Sequence, residues 1–128
     1  MYSDHIPDDS ITASSWLSSK HLPYFGRLDR NIGHGAWCSA PNDVQPYLEI
    51  DLEIEHMITG VITQGKHRLS SDQLGFAWVT EFFLSYTTNQ KNWTFVKDVK
   101  TSQPIVSKIS SVAMPHLCLI LFQVYSAC

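Results

Sequence analysis

Between Tyr47 and Gly65 the chain reads Tyr-Leu-Glu-Ile-Asp-Leu, then Glu-Ile-Glu-His-Met, then Ile-Thr-Gly-Val-Ile-Thr-Gln-Gly, and this run limits the fold more than any other. Leu48, Ile50 and Leu52 alternate with Glu49 and Asp51, which is the period of a strand with one face buried and one in water. Residues 58–64 are dominated by Ile58, Thr59, Val61, Ile62 and Thr63, β-branched types whose stiff χ1 suits a pleated surface better than a helix. The pattern predicts two consecutive central strands joined by a short polar connector.

Around this centre the other segments also read as strands and turns. Pro7-Asp8-Asp9-Ser10 is a turn, and residues 1–15 pack along an edge of the core. Ala36-Trp37-Cys38 reads as a brief strand ending at the Ala40-Pro41-Asn42-Asp43 turn, with Trp37 in the core. Residues 78–87 and 93–96, linked by Thr88-Asn89-Gln90-Lys91-Asn92, read as a hairpin. The apolar run Leu117–Val124 reads as a final buried strand; it is far too short to cross a membrane, and the chain has no apolar run of 18 residues. Neither repeats nor a long helical period occur, so the fold class is all-β, a sandwich or barrel.

At 128 residues and 44% hydrophobic the chain suffices for one domain, 1–128, burying about two thirds of the surface exposed when unfolded. A net charge of -3 with nine scattered basic residues gives no footprint for nucleic acid, which needs clustered Lys and Arg. The N-terminus lacks a basic and then apolar leader, so the chain reads as cytosolic or as a piece of a longer secreted one. Cys38, Cys118 and Cys128 make an odd count without metal-ligand spacing. Gly33-His34-Gly35 is too little for a phosphate loop, and no His-Glu-x-x-His pattern occurs. The six histidines, His5, His21, His34, His56, His67 and His116, are dispersed and read as surface or loop residues. No enzyme and no cofactor is expected.

Two polar loops carry isolated apolar residues. One is Ser14-Ser15-Trp16-Leu17-Ser18-Ser19; the other runs from Lys66 and includes Leu69, Leu74 and Phe76. Both are candidates for presenting hydrophobic tips to a partner.

The segments Ile11-Thr12-Ala13-Ser14-Ser15, Gly26-Arg27-Leu28-Asp29, Ala36-Trp37-Cys38, Tyr47-Leu48-Glu49-Ile50-Asp51-Leu52, Thr59-Gly60-Val61-Ile62-Thr63-Gln64-Gly65, Trp78-Val79-Thr80 and Leu84-Ser85-Tyr86, in that order, closely resemble the discoidin family, the coagulation factor V/VIII type C domain. The resemblance covers residues 6–97. It implies a jelly-roll-like sandwich or distorted barrel of antiparallel strands in an extracellular, non-enzymatic adhesion module. Such a module is part of a larger secreted or membrane-anchored protein. Its loops at one end, the spikes, dock on a phospholipid surface, a glycan, or an extracellular protein such as collagen or a receptor.

Carried over, the resemblance puts Trp16 and Leu17 in the first spike and Leu69, Leu74 and Phe76 in another, with the basic Lys20, Lys66 and Arg68 meeting charged groups of the ligand. Arg27 and Asp51 would be structural, holding loops to the barrel, while Trp37 and Trp93 would lie in the core. Burying a spike side chain contributes about 1.5 to 3 kcal/mol before association costs. Asn92-Trp93-Thr94 is an N-glycosylation sequon, which matters if the chain is secreted. The departures are that the cysteine that would pair with Cys128 is missing, Glu53 replaces the glycine usual after Asp-Leu, and residues 98–128 lack the family's closing pattern. That end reads as divergent or truncated, which would expose an unpaired sheet edge.

Overall fold

The computed structural model describes residues 6–29, 32–58, 61–66, 79, 82–97 and 114–124. Five strands, β1 (Ile11–Ala13), β2 (Tyr47–Ile58), β3 (Phe82–Thr87), β4 (Thr94–Phe95) and β5 (Met114–Val124), form a single antiparallel sheet in the order β1-β2-β5-β3-β4. Two short 3-10 turns, Asp8–Ser10 and Pro23–Gly26, are the helical elements among the described residues.

The alternation seen in the sequence sets which face is buried. Ile11 pairs with Ile50, and Leu48 and Leu84 flank the same β5 position, Phe122. Ile11, Leu48, Ile50, Phe82 and Leu84, all buried, therefore share one side of the sheet. Trp37 packs against Ile11, Leu48 and Ile50, with Ile6, Ala13, Tyr24 and Leu52 around them.

The two central strands expected from the sequence are instead one strand of 12 residues. β2 spends Asp51 to His56 against only Leu119 to Leu117 on β5, a bulged stretch that absorbs the polar connector. Within it Glu53 takes φ 66, a left-handed conformation that costs an L side chain energy and glycine nothing. That is a physical reason for a glycine after Asp-Leu, where this chain has Glu53. The Asp51 carboxylate accepts the Glu53 N–H at 2.7 Å and holds the bulge in place. Residues 61–65 form no strand, and Lys66 makes an isolated bridge.

Ala36-Trp37-Cys38 also forms no strand, because its polar groups are used by the 15–17 loop: the Cys38 carbonyl accepts the Leu17 N–H at 2.8 Å. Cys38 is buried and disulfide-bonded. The expected hairpin is present, with Ser85 opposite Phe95 and Tyr86 opposite Thr94. The final run forms a strand as expected, and its place is the middle of the sheet, between β2 and β3.

Candidate functional site

At one end of the sheet the chain leaves β1 at Ala13 and returns into β2 at Tyr47, next to the Ala13–Leu48 pair. Serine-rich sequence does not form regular structure there because its hydroxyls compete for backbone groups. Ser14 and Ser15 each donate a hydroxyl hydrogen to Asp43 Oδ2 at 2.5 Å. The same two oxygens accept backbone N–H groups, from Tyr47 and Ala40 respectively, both at 3.0 Å. Trp37 donates its indole N–H to the Ser15 carbonyl at 2.8 Å. The Ser14 and Ser15 hydroxyls, in that order, and then the Gln45 N–H hold Asp43 below the usual carboxylate range.

Trp16 sits inside this pinned segment, between Ser15 and Leu17, and is 49% exposed. Its neighbours are fixed, yet the indole itself remains in contact with water. Leu17 is half-buried and Lys20 exposed.

Behind the loop lies a group that sequence reasoning missed. His21 is only 3% exposed and packs edge-on against His34, ring centroids 4.8 Å apart. The Ser18 hydroxyl bonds His21 Nδ1 at 2.9 Å, and the Lys20 carbonyl accepts the His34 N–H at 2.9 Å. Burial, then His34, Lys66 and Lys20, lower the proton affinity of His21; burial, then Lys20 and Lys66, lower that of His34. Gly33, at φ 64, lets the second loop pass close to Phe25, where an added Cβ would meet Phe25 Cε2 at 2.5 Å. Two histidines on separate loops carried no periodic signal, so only their packing reveals them as a pair.

The other residues singled out in the sequence fall in different places. Lys66, expected at the ligand, is 5% exposed, and burial lowers its proton affinity. It is drawn inward at its bridge position, beside the two histidines, and so is not among the exposed cations of this end. Arg68, Leu69, Leu74 and Phe76 lie outside the described residues. Arg27 is buried and donates through Nε and Nη2 to Asp8 Oδ1, at 3.1 and 2.9 Å, and through Nη2 to the Ile6 carbonyl. Asp29 and Gln64 bond reciprocally: Asp29 N–H to Gln64 Oε1 at 2.8 Å, and Gln64 Nε2 to Asp29 Oδ1 at 3.0 Å. Trp37 is buried. Trp93, expected in the core, is 37% exposed; it precedes the two-residue strand that is outermost among the described strands of the sheet. Asn92 is exposed in the same connection.

The described residues contain no group of three or more His, Cys, Asp or Glu side chains able to hold a metal ion. The site offers an aromatic tip, a flanking lysine and a stiff hydrogen-bonded base.

Comparison with known proteins agrees with this architecture. The chain is 32% identical over 106 residues to the human EGF-like repeat and discoidin I-like domain-containing protein 3, a match covering 79% of this chain and 21% of that protein. It is 33% identical over 104 residues to lactadherin from Bos taurus, covering 77% of this chain and 23% of lactadherin. The chain thus spans between a fifth and a quarter of the length of these relatives. Among solved structures it superposes on CpGH89CBM32-5 from Clostridium perfringens, in complex with GalNAc-beta-1,3-galactose, with a TM-score of 0.60 and 11% identity, covering 95% of this chain and 88% of that one. At that identity the likeness concerns the fold, an all-β jelly roll. The F5/8 type C domain model matches residues 10–114, and the chain belongs to the F5/8 type C, or discoidin, family.

Proposed function

We propose that this chain is a non-catalytic extracellular docking module, part of a larger protein, that seats Trp16 in the headgroup region of a phospholipid surface with Lys20 facing anionic lipid. The observation that carries this reading is the exposure of Trp16 within a segment whose backbone is fixed on both sides. A tip that is already ordered loses little conformational freedom on binding. Tryptophan is favoured at the membrane interface, and a nearby lysine adds attraction to anionic headgroups. The Cys38 disulfide fits an oxidising compartment.

Magnitudes make this a weak single module. A tryptophan buries about 150 to 250 Å²; covering the exposed half of one contributes about 2 to 3 kcal/mol at about 25 cal/mol per Å², before association costs. Useful affinity therefore needs the further spike residues or a second module on the same protein.

The test is co-sedimentation with vesicles of phosphatidylcholine alone or with phosphatidylserine. The expected result is pelleting that rises with phosphatidylserine, falls with salt, and drops about tenfold or more in Trp16→Ala, whose unfolding midpoint stays at the wild-type value. Equal and negligible pelleting on both vesicles rejects the lipid reading. Saturable, Trp16-dependent binding to an immobilised glycan or to collagen instead would keep the docking end and change the class of surface.

A further inference from the structure

Asn92-Trp93-Thr94 is the chain's one Asn-x-Ser/Thr sequence, and all three residues are exposed. We propose that Asn92 carries an N-linked glycan at the end of the sheet away from Trp16, where the sugar covers the edge strand β4. This rests on the extracellular part of the reading above and not on its choice of ligand.

The local structure presents Asn92 as an acceptor. Asn89 Oδ1 accepts the N–H groups of Lys91 and Asn92, each at 3.0 Å, and the Thr87 hydroxyl donates to the same oxygen at 3.0 Å. Gln90 turns the chain at φ 59. One carboxamide thus closes the turn. The Asn92 carboxamide makes no hydrogen bond among the described residues, so a glycan there displaces nothing. The hydroxyl residue that completes the sequon, Thr94, is exposed on β4.

The register fixes where the glycan stands. The Trp16 loop starts beside the Ala13–Leu48 pair; Tyr47 is level with Gln123, which is level with Phe83 near the start of β3. The turn bearing Asn92 follows Thr87, at the other end of β3, which is level with Leu119 and, through it, Asp51. From Phe82 to Thr87 the strand advances about 17 Å. A glycan at Asn92 therefore leaves the Trp16 end open.

Something at this edge needs covering. β4 is two residues long and outermost in the sheet, and Trp93 and Phe95 are 37% and 44% exposed. Among the described residues no strand pairs with the outer side of β4, and such an edge flanked by exposed aromatics invites pairing with another chain. A bulky, solvated sugar one residue before Trp93 blocks that approach.

The experiment expresses the chain behind a cleavable secretion signal in mammalian cells, and treats both lysate and medium with peptide-N-glycosidase. The wild type and Thr94→Ser should shift by one glycan; Asn92→Gln and Thr94→Ala should not shift in either fraction. The enzyme-treated and Asn92→Gln proteins should form more oligomer on concentration while pelleting with phosphatidylserine vesicles as the glycosylated protein does. A wild-type chain without a shift in lysate and medium overturns the site, and unchanged oligomer content after deglycosylation overturns the covering role. Loss of vesicle pelleting in glycosylated and unglycosylated protein alike would sink the lipid reading and leave the glycan standing.

Discussion

The Ser15 hydroxyl donates to Asp43 Oδ2 at 2.5 Å while accepting the Ala40 N–H at 3.0 Å, so one side chain joins the Trp16 loop to the loop that leads into β2. Ser14 does the same between Asp43 and Tyr47. Asp43→Ala strips both hydroxyls of their acceptor and is expected to lower stability by about 1 to 2 kcal/mol. Vesicle binding should fall further than this loss explains, since the base of the tip is loosened. Asp43→Asn, which keeps an acceptor oxygen, should lose less of both. Because the folded protein holds Asp43 below its ordinary carboxylate value, this stabilisation is present above about pH 4 and is lost as the pH falls below it. Thermal unfolding of the three proteins at pH 7 and pH 3.5 checks both points.

Glu53 should be improvable. At φ 66 it bears a left-handed penalty of about 1 to 2 kcal/mol, offset in part by the exposed bond from the Ser10 hydroxyl to Glu53 Oε1 at 3.2 Å. Replacing it with glycine removes the penalty, loses that bond and adds backbone entropy to the unfolded chain. The expected net gain is about 0.5 kcal/mol, while Glu53→Val should lose about 1 kcal/mol or more. Urea unfolding separates these directions.

Gly33→Ala is expected to be costly. The new methyl would meet Phe25 Cε2 at 2.5 Å and the Lys20 carbonyl oxygen at 2.8 Å, at a φ of 64. Neither an aromatic ring in a buried 3-10 turn nor a backbone carbonyl bonded to His34 yields easily. We expect a loss of about 2 to 4 kcal/mol, measured by chemical unfolding.

The His21 and His34 pair should make stability fall with mild acid. Both have lowered proton affinity in the folded state, so on acidification the unfolded chain takes up protons first. Stability from this source is complete above the ordinary histidine value of about 6.5 and declines as the pH drops below it. The urea midpoint of the wild type should fall between pH 7 and 5.5, and His21→Gln should show a flatter profile even if its midpoint at pH 7 is lower. Parallel profiles would mean that the pair is not the titrating element.

Local pattern carried much of the fold. The alternation of Leu48 and Ile50 marks the buried face because strand geometry makes it so, and the β3–β4 hairpin was written in two β-rich runs around a polar link. The continuation of β2 through Glu53 to Ile58 was not legible, since it depends on pairing with β5, distant in sequence, and on a bulge that polar residues disguise as a connector. The site divides similarly. An apolar residue in a serine-rich loop flags Trp16, whereas the burial of Lys66 and His21 arises from contact between segments far apart in the chain. The Asp29–Gln64 bond shows why two separate short segments belonged to one recognisable pattern: each supplies half of a single clasp.

β5 lies at the centre of the sheet although every other described strand precedes it in the chain. During synthesis β2 can pair with β1 and β3 with β4, but a vacant lane stays between the two pairs until residues 114–124 have cleared the ribosome. Assembly of the sheet therefore waits on this segment and is slow, because its pairings join distant parts of the chain. A nascent chain stalled before that point exposes two strand edges, which makes it a natural client for chaperones that hold rather than fold.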